Sequence, residues 1–205
     1  MLSYSIQNSN NLSNQLEELL AYDLEYIKSH DNTNYHWGNY TGNLSAKFRQ
    51  YSELDLLPVF GELLSAGFDI TDVVLYTLKA NSIKAIRNIN YLSELTNTSI
   101  IIPVGSTHSA TYVWYNTSYI TEHNIESLSM LYKEHGNKII DGSCIIEKDT
   151  PMLVKHQNHW AAINNKQNSD FNFLQITLRG NPEYEEVKNY LGINSGNNPG
   201  SGPKS

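Results

Sequence analysis

The sequence has little cysteine, arginine or charge, and each shortage excludes a class of protein. The single cysteine, Cys144, cannot form an internal disulfide. The only arginines are Arg49, Arg87 and Arg179, so we do not expect a site that clamps phosphate groups with paired guanidinium contacts. Charged residues make up 17% of the chain and the net charge is −7. With this acidic balance we do not expect nucleic acid or anionic lipid surfaces as partners, because both attract clustered basic residues.

Long apolar runs are missing as well. No run approaches the ~18 residues that a membrane-spanning helix needs. The first residues, MLSYSIQNSNNLSNQ, contain neither the basic nor the apolar region of a secretory signal. We therefore expect a cytoplasmic location. Delivery into another cell by a specialised secretion route would leave none of these marks and stays open.

Length and composition predict one globular domain. The chain has 205 residues, of which 40% are hydrophobic, enough for a sizeable core without disulfides. We place the domain at residues 1–192. The remaining residues, 193–205, are rich in glycine, asparagine and serine, which predicts a flexible tail.

The N-terminal half has helical patterns. Leucine and isoleucine recur at helical spacing over 12–28, which predicts an amphipathic helix. Short helical patterns separated by turn residues continue over 46–95. We predict four short helices over about 12–95.

One stretch within residues 57–92, ELLSAGFDITDVVLYTLKANSIKAIRNI, resembles the join between two ankyrin repeats. A helix there would end at a small residue and glycine, and a helix pair would resume after a polar turn. The Thr-Pro-Leu-His opening of that family is absent, and no second copy occurs at repeat spacing. An ordinary helical hairpin explains the same pattern.

The pattern changes after Thr98. Segments such as SIIIPVG and SATYVWYN are rich in β-branched and aromatic residues and predict strands. Up to four further strands follow, with helices at 124–136 and after Pro182. The predicted class is therefore α+β, with a helical N-terminal half followed by a mostly antiparallel sheet with two helices over about 99–192.

As the single cysteine, Cys144 is the one candidate for a nucleophilic thiol. Such chemistry needs a histidine within hydrogen-bonding reach and usually a group that orients the imidazole. His159 and His108 each stand near the start of a predicted strand, and Asp141, Asn158 or Asp170 could orient either. The order Asp-Gly-x-Cys resembles the nucleophile motif of ovarian-tumour-type cysteine proteases, but their cysteine begins a helix, whereas a strand is predicted here. The alternative is an inert, buried thiol.

A metal site would use some of the same residues. Metal-binding donors are offered by His156 and His159, or by His135 with Asp141 and Cys144. Their spacing matches no structural zinc pattern. We therefore expect no metal and no cofactor.

A third resemblance involves residues that are spread along the chain. Arg49, Ser106-Thr107 and Glu183-x-Glu185 occur in the order that ADP-ribosyltransferases use. The start of a helix explains the acidic pair equally well, because carboxylates are favoured there.

We expect, from these observations, an intracellular protein-interaction or effector-type domain that acts on another protein. The alternative is a thiol-dependent hydrolase or transferase with Cys144 as nucleophile, His159 or His108 as base and Asp141 as orienting group. An ADP-ribosyltransferase-like activity is a more remote alternative.

Overall fold

The computed structural model of the chain contains two antiparallel sheets. It describes residues 3–5, 11–29, 34–39, 67–68, 70–86, 97–105, 109–120, 128–156, 159–178 and 180–191. The strands are β1 (Ser3–Ser5), β2 (Asn34–Asn39), β3 (Ile70–Leu78), β4 (Ser82–Ile86), β5 (Thr98–Val104), β6 (Ala110–Tyr115), β7 (Ile140–Ile146), β8 (Met152–Lys155), β9 (Trp160–Asn165) and β10 (Phe171–Leu178). The helices are α1 (Leu12–Leu19), α2 (Ala21–Ser29), α3 (Leu128–His135) and α4 (Tyr184–Tyr190), and a 3-10 helix spans Gly136–Ile139.

The order of the strands defines a jelly roll. One sheet has the order β1-β8-β5-β10-β3-β2 and the other the order β4-β9-β6-β7. From β3 to β10 the chain passes from one sheet to the other at every step except between β6 and β7. Eight antiparallel strands distributed over two sheets in this way form a double-sheet jelly roll.

The N-terminal helices cover the outer face of the six-stranded sheet. The predicted helix at 12–28 is present, divided at Leu20 into α1 and α2. Its apolar side is buried against Val73, Leu75 and Ile100 of the sheet. Ser13 attaches α1 to the loop after β7: its N–H donates to Asp149 Oδ1 at 2.6 Å, and the Asp149 N–H donates to Ser13 Oγ at 2.9 Å.

The predicted α+β class with a helical N-terminal half is wrong, and the ankyrin-like interpretation is wrong with it. Residues 70–78 and 82–86 are strands that belong to different sheets, where a helix pair was expected. The cause is that β3 is buried on both faces: Val73 and Leu75 face the helices, whereas Leu78 lies in the core between the sheets. A strand buried on both faces loses its alternating pattern and resembles a helix. The parts of the prediction at 46–66 and 87–95 lie outside the described residues.

The later predictions agree better with the structure. Strands lie in each region where the sequence predicted them after Thr98, and the helices at 128–135 and 184–190 fall inside the predicted ones. The space between the sheets is filled by apolar and aromatic side chains, including Tyr112, Trp114, Phe171 and Phe173. In the part of the chain that the structure describes, no helix is long and apolar enough to cross a membrane. The predicted tail at 193–205 lies outside the described residues.

Candidate functional site

An imidazole and a carboxylate come together at one end of the four-stranded sheet. His159 directly precedes β9, and Asp141 is the second residue of β7. His159 Nε2 lies 3.9 Å from Asp141 Oδ2, the distance of an ion pair when the imidazole is protonated. The two side chains are 19% and 35% exposed, so both are accessible to water or to a small molecule.

A β-bulge explains how Asp141 reaches this position. On β6, Trp114 and Tyr115 are adjacent, but their partners on β7 are Gly142 and Ile140. Asp141 is therefore the extra residue of the bulge, without a partner position on β6. A bulge changes the direction of a side chain at a sheet edge, and here it lets a residue of β7 approach the start of β9, which is not its neighbouring strand.

A buried polar cluster lies next to this pair, between the two sheets. His156 is 1% exposed. Its Nε2 lies 2.9 Å from Ser99 Oγ on β5, and its Nδ1 lies 3.4 Å from the Tyr112 hydroxyl on β6. The Gln175 side chain donates to Ser99 Oγ at 3.4 Å. We call Ser99, Tyr112, His156 and Gln175 the polar cluster.

Burial keeps the imidazole of the polar cluster neutral. The pKa of His156 is lowered from 6.5 to about 4, chiefly by loss of solvation and to a smaller extent by the nearby His159. Burial also raises the pKa of Tyr112 well above its usual value of 10.0, so its hydroxyl stays protonated. At neutral pH the neutral ring of His156 has one nitrogen that donates and one that accepts.

Cys144 lies away from the His159–Asp141 pair. The strand register places Cys144 opposite Tyr112, and Tyr112 opposite Ile163, which is four residues along β9 from His159. With ~3.4 Å per residue and ~4.8 Å between strands, the backbones of Cys144 and His159 are about 17 Å apart. The Cys144 thiol donates instead to Met152 Sδ at 3.2 Å. The structure therefore brings together His159 and Asp141 but not Cys144.

Other residues singled out from the sequence are separate from this site or outside the described residues. His108, Asn158, Arg49 and the pair at 106–107 are not described. Asp170 lies 3.5 Å from Lys79 Nζ. His135 lies 3.7 Å from Glu134, and Glu183 accepts a hydrogen bond from Asn97 Nδ2 at 3.1 Å. These contacts are local and bring no further group to His159.

Comparisons with known proteins identify the kind of fold. No family model matches the sequence, and no curated protein matches it either. Among solved structures, EctD from S. alaskensis with 2-oxoglutarate and 5-hydroxyectoine has a TM-score of 0.52 at 12% identity, over 86% of this chain and 71% of that one. AviO1 from Streptomyces viridochromogenes has a TM-score of 0.51 at 7% identity, over 88% and 91% of the chains. A Pseudomonas putida prolyl-4-hydroxylase has a TM-score of 0.50 at 7% identity, over 86% and 91%.

These likenesses show that the fold is similar to the folds of EctD, AviO1 and the prolyl-4-hydroxylase, and they do not agree with the function expected from the sequence. The intracellular protein-interaction or effector-type domain expected from the sequence is wrong: the fold resembles those of EctD and prolyl-4-hydroxylase, and the segment read as ankyrin-like forms two strands of the jelly roll. A thiol hydrolase or transferase is wrong as well: neither the fold nor the position of Cys144 suits it. The likeness also replaces the ADP-ribosyltransferase interpretation. At 7–12% identity the neighbours show the fold alone, so activity must be argued from the site.

An iron(II) site needs donor side chains that lie close together. Non-haem iron(II) oxygenases usually bind the metal through two histidines and one carboxylate. Among the described residues, no three His, Cys, Asp or Glu side chains form a group that could hold a metal ion. His159 and Asp141 provide one donor of each kind, whereas both ring nitrogens of His156 face Ser99 and Tyr112. The described residues alone therefore do not make a complete iron site.

Ser99, Tyr112 and Gln175 were missed by the sequence analysis. Each is a polar residue within a strand that is otherwise apolar or aromatic: TSIIIPV, ATYVWY and FNFLQITL. A buried polar side chain needs a hydrogen-bond partner, so a polar residue in a buried strand is itself a signal. The partners could not be named, because the pairing of β5, β6 and β10 is not visible in the sequence.

Proposed function

We propose that this protein is an oxidoreductase of the oxygenase type, with its reaction centre at the end of the jelly roll where His159 and Asp141 meet. The observation that carries the proposal is the 3.9 Å approach of these two side chains. They join the start of β9 to a bulge in β7, in a fold shared with EctD and prolyl-4-hydroxylase.

The chemistry of the pair suits a metal-dependent reaction in part. An imidazole and a carboxylate are two of the three donors of a facial triad, and iron(II) held by such a triad supplies oxygen chemistry that amino acids alone cannot. The role of this chain's own residues is to hold the two donors side by side in a partly enclosed position. Completion of the site needs one further donor, which the described residues do not provide.

The test is a metal titration under anaerobic conditions. Purified wild-type protein is titrated with iron(II) by calorimetry, with and without 2-oxoglutarate, alongside His159→Ala, Asp141→Asn and the control His135→Ala. His135 is a histidine of α3 that contacts Glu134 and not the site. We expect one equivalent of iron(II) to bind to the wild type and to the control. Affinity should fall at least tenfold in each site variant, because each removes a direct ligand.

Two results would contradict the proposal. One is wild-type protein that binds no iron(II) in either condition. The other is binding that His159→Ala and Asp141→Asn leave unchanged. If iron(II) binds as expected, the iron-loaded wild type can be tested for consumption of 2-oxoglutarate. Consumption by the wild type that is lost in both site variants would extend the proposal from metal binding to turnover.

A second candidate function is ligand binding without a metal, and the absence of a third donor among the described residues favours it. Small-molecule sites typically combine a largely apolar lining with a few convergent polar groups, and such groups lie at this end of the jelly roll. A wild type that fails to bind iron(II) but is stabilised against thermal unfolding by 2-oxoglutarate would support this candidate over the first.

Other expectations from the sequence stay predictions. They are the cytoplasmic location, a protein partner, the weak affinity for nucleic acid and the single domain over 1–192.

A further inference from the structure

We propose that His156 is a positioning residue: it ties the turn that carries His159 to both sheets, and so fixes the His159 imidazole beside Asp141. The inference rests on the proposed function in one respect, the role of His159 as a metal ligand. The geometry that it explains is independent of any metal.

Three hydrogen bonds fix the backbone in and beside this turn. The His159 N–H donates to the His156 carbonyl at 2.8 Å, and the His156 N–H donates to the Asn97 carbonyl at 2.7 Å. One residue earlier, Trp114 Nε1 donates to the Lys155 carbonyl at 2.7 Å. The position of His159 therefore depends directly on the position of His156.

The side chain of His156 adds a connection that the backbone cannot make. Ser99 belongs to the six-stranded sheet and Tyr112 to the four-stranded sheet, and the ring lies within hydrogen-bonding reach of both. The ring thus bridges the two layers at the end of the jelly roll where the His159–Asp141 pair lies. Because the ring is neutral and almost completely buried, water does not compete for these two contacts.

The bridge explains why a histidine occupies this position. A phenylalanine would fill similar space but leave the hydroxyls of Ser99 and Tyr112 without the ring nitrogens. A glutamine carries a donor and an acceptor at the end of its side chain, so it can keep one contact and part of the other. Loss of the bridge would leave the turn attached through its backbone alone, and His159 would sample other positions relative to Asp141.

The test uses metal-free protein at pH 7 and reports on His159 directly. His156→Phe, His156→Gln and Tyr112→Phe are compared with wild type by NMR, through exchange of the His159 amide with solvent and through the ring resonances of His159. The matched control is Thr77→Val, which removes a side-chain hydrogen bond of 2.8 Å to Asn172 elsewhere in the six-stranded sheet. Circular dichroism verifies that each variant is folded.

We expect the His159 amide to exchange about tenfold faster in His156→Phe and in Tyr112→Phe, the effect of losing about one buried hydrogen bond. Its ring resonances should shift or broaden in both variants. His156→Gln should restore part of the wild-type behaviour, and Thr77→Val should leave His159 as it is. If His156→Phe does not fold, Tyr112→Phe decides alone, because it deletes a single hydroxyl.

Unchanged exchange and unchanged ring resonances in a folded His156→Phe or Tyr112→Phe protein would overturn the inference. An equal response of His159 to Thr77→Val would overturn it too, because the effect would then reflect general loss of stability. Failure of wild-type protein to bind iron(II) would refute the proposed function and leave this result as it stands.

Discussion

The buried ring of His156 makes the stability of this protein sensitive to acid. In the unfolded chain the imidazole takes up a proton near pH 6.5, whereas in the folded protein its pKa is about 4. Between these values the unfolded state binds more protons, so the free energy of unfolding falls as the pH falls. With these two pKa values the loss between pH 7 and pH 5 is about 2 kcal/mol, and it approaches about 3 kcal/mol below pH 4.

The assay is urea denaturation of wild type and His156→Gln at pH 7, 6 and 5. The variant is expected to be less stable at pH 7, because a buried bridge is weakened. It carries no imidazole at this position, so its stability should fall by about 2 kcal/mol less than that of the wild type between pH 7 and pH 5. Other titrating groups contribute to both proteins and cancel in the comparison. Parallel losses of stability in the two proteins would refute the reasoning.

Two predictions concern stability outside the site. Ser13→Ala removes the hydroxyl that accepts from the Asp149 N–H, so the free energy of unfolding measured in urea should fall by about 1 kcal/mol, whereas an unchanged midpoint would show that the contact between α1 and the loop after β7 is not needed. Asn165→Ala removes a buried amide that donates to three backbone carbonyls and accepts from the Gln167 N–H. A loss of about 3 kcal/mol is expected in the same assay, and a loss below about 1 kcal/mol would contradict the assignment.

The N-terminal helices could be predicted because one face alone is buried. In α1 and α2 the buried leucines recur at helical spacing, and residues between them such as Glu18 and Tyr22 are exposed. In β3 both faces are covered, by helices on one side and by the second sheet on the other. Its sequence therefore shows no alternation, and nothing local distinguishes it from a buried helix. The fold class was predicted wrongly chiefly because β3 was not recognised as a strand.

The candidate site shows a similar division. His159 was singled out because it stands at the start of a predicted strand, and Asp141 because it could orient an imidazole. That either residue takes part in a reaction stays a prediction. Their approach could not be foreseen, because it depends on a bulge in β7 that changes the register by one residue. Cys144 was favoured for its rarity in the sequence, but the register places it about two strands from His159.

The polar cluster links stability to the proposed function. Four polar side chains lie in a core otherwise filled by residues such as Phe171 and Phe173, and burial of polar groups is unfavourable unless each finds a partner. An apolar side chain at 156 would avoid this cost but could not connect Ser99 to Tyr112. The residues of the cluster bridge the sheets beside His159, so this cost is incurred where the orientation of the proposed metal ligand depends on it. At the far end of β9, Asn165 makes another buried connection between the sheets, through the carbonyls of Leu78 and Lys79, so a buried bridge alone does not imply a role in positioning. The role of His156 follows instead from its backbone contact to His159, which makes any movement of the bridging ring a movement of the turn that carries His159.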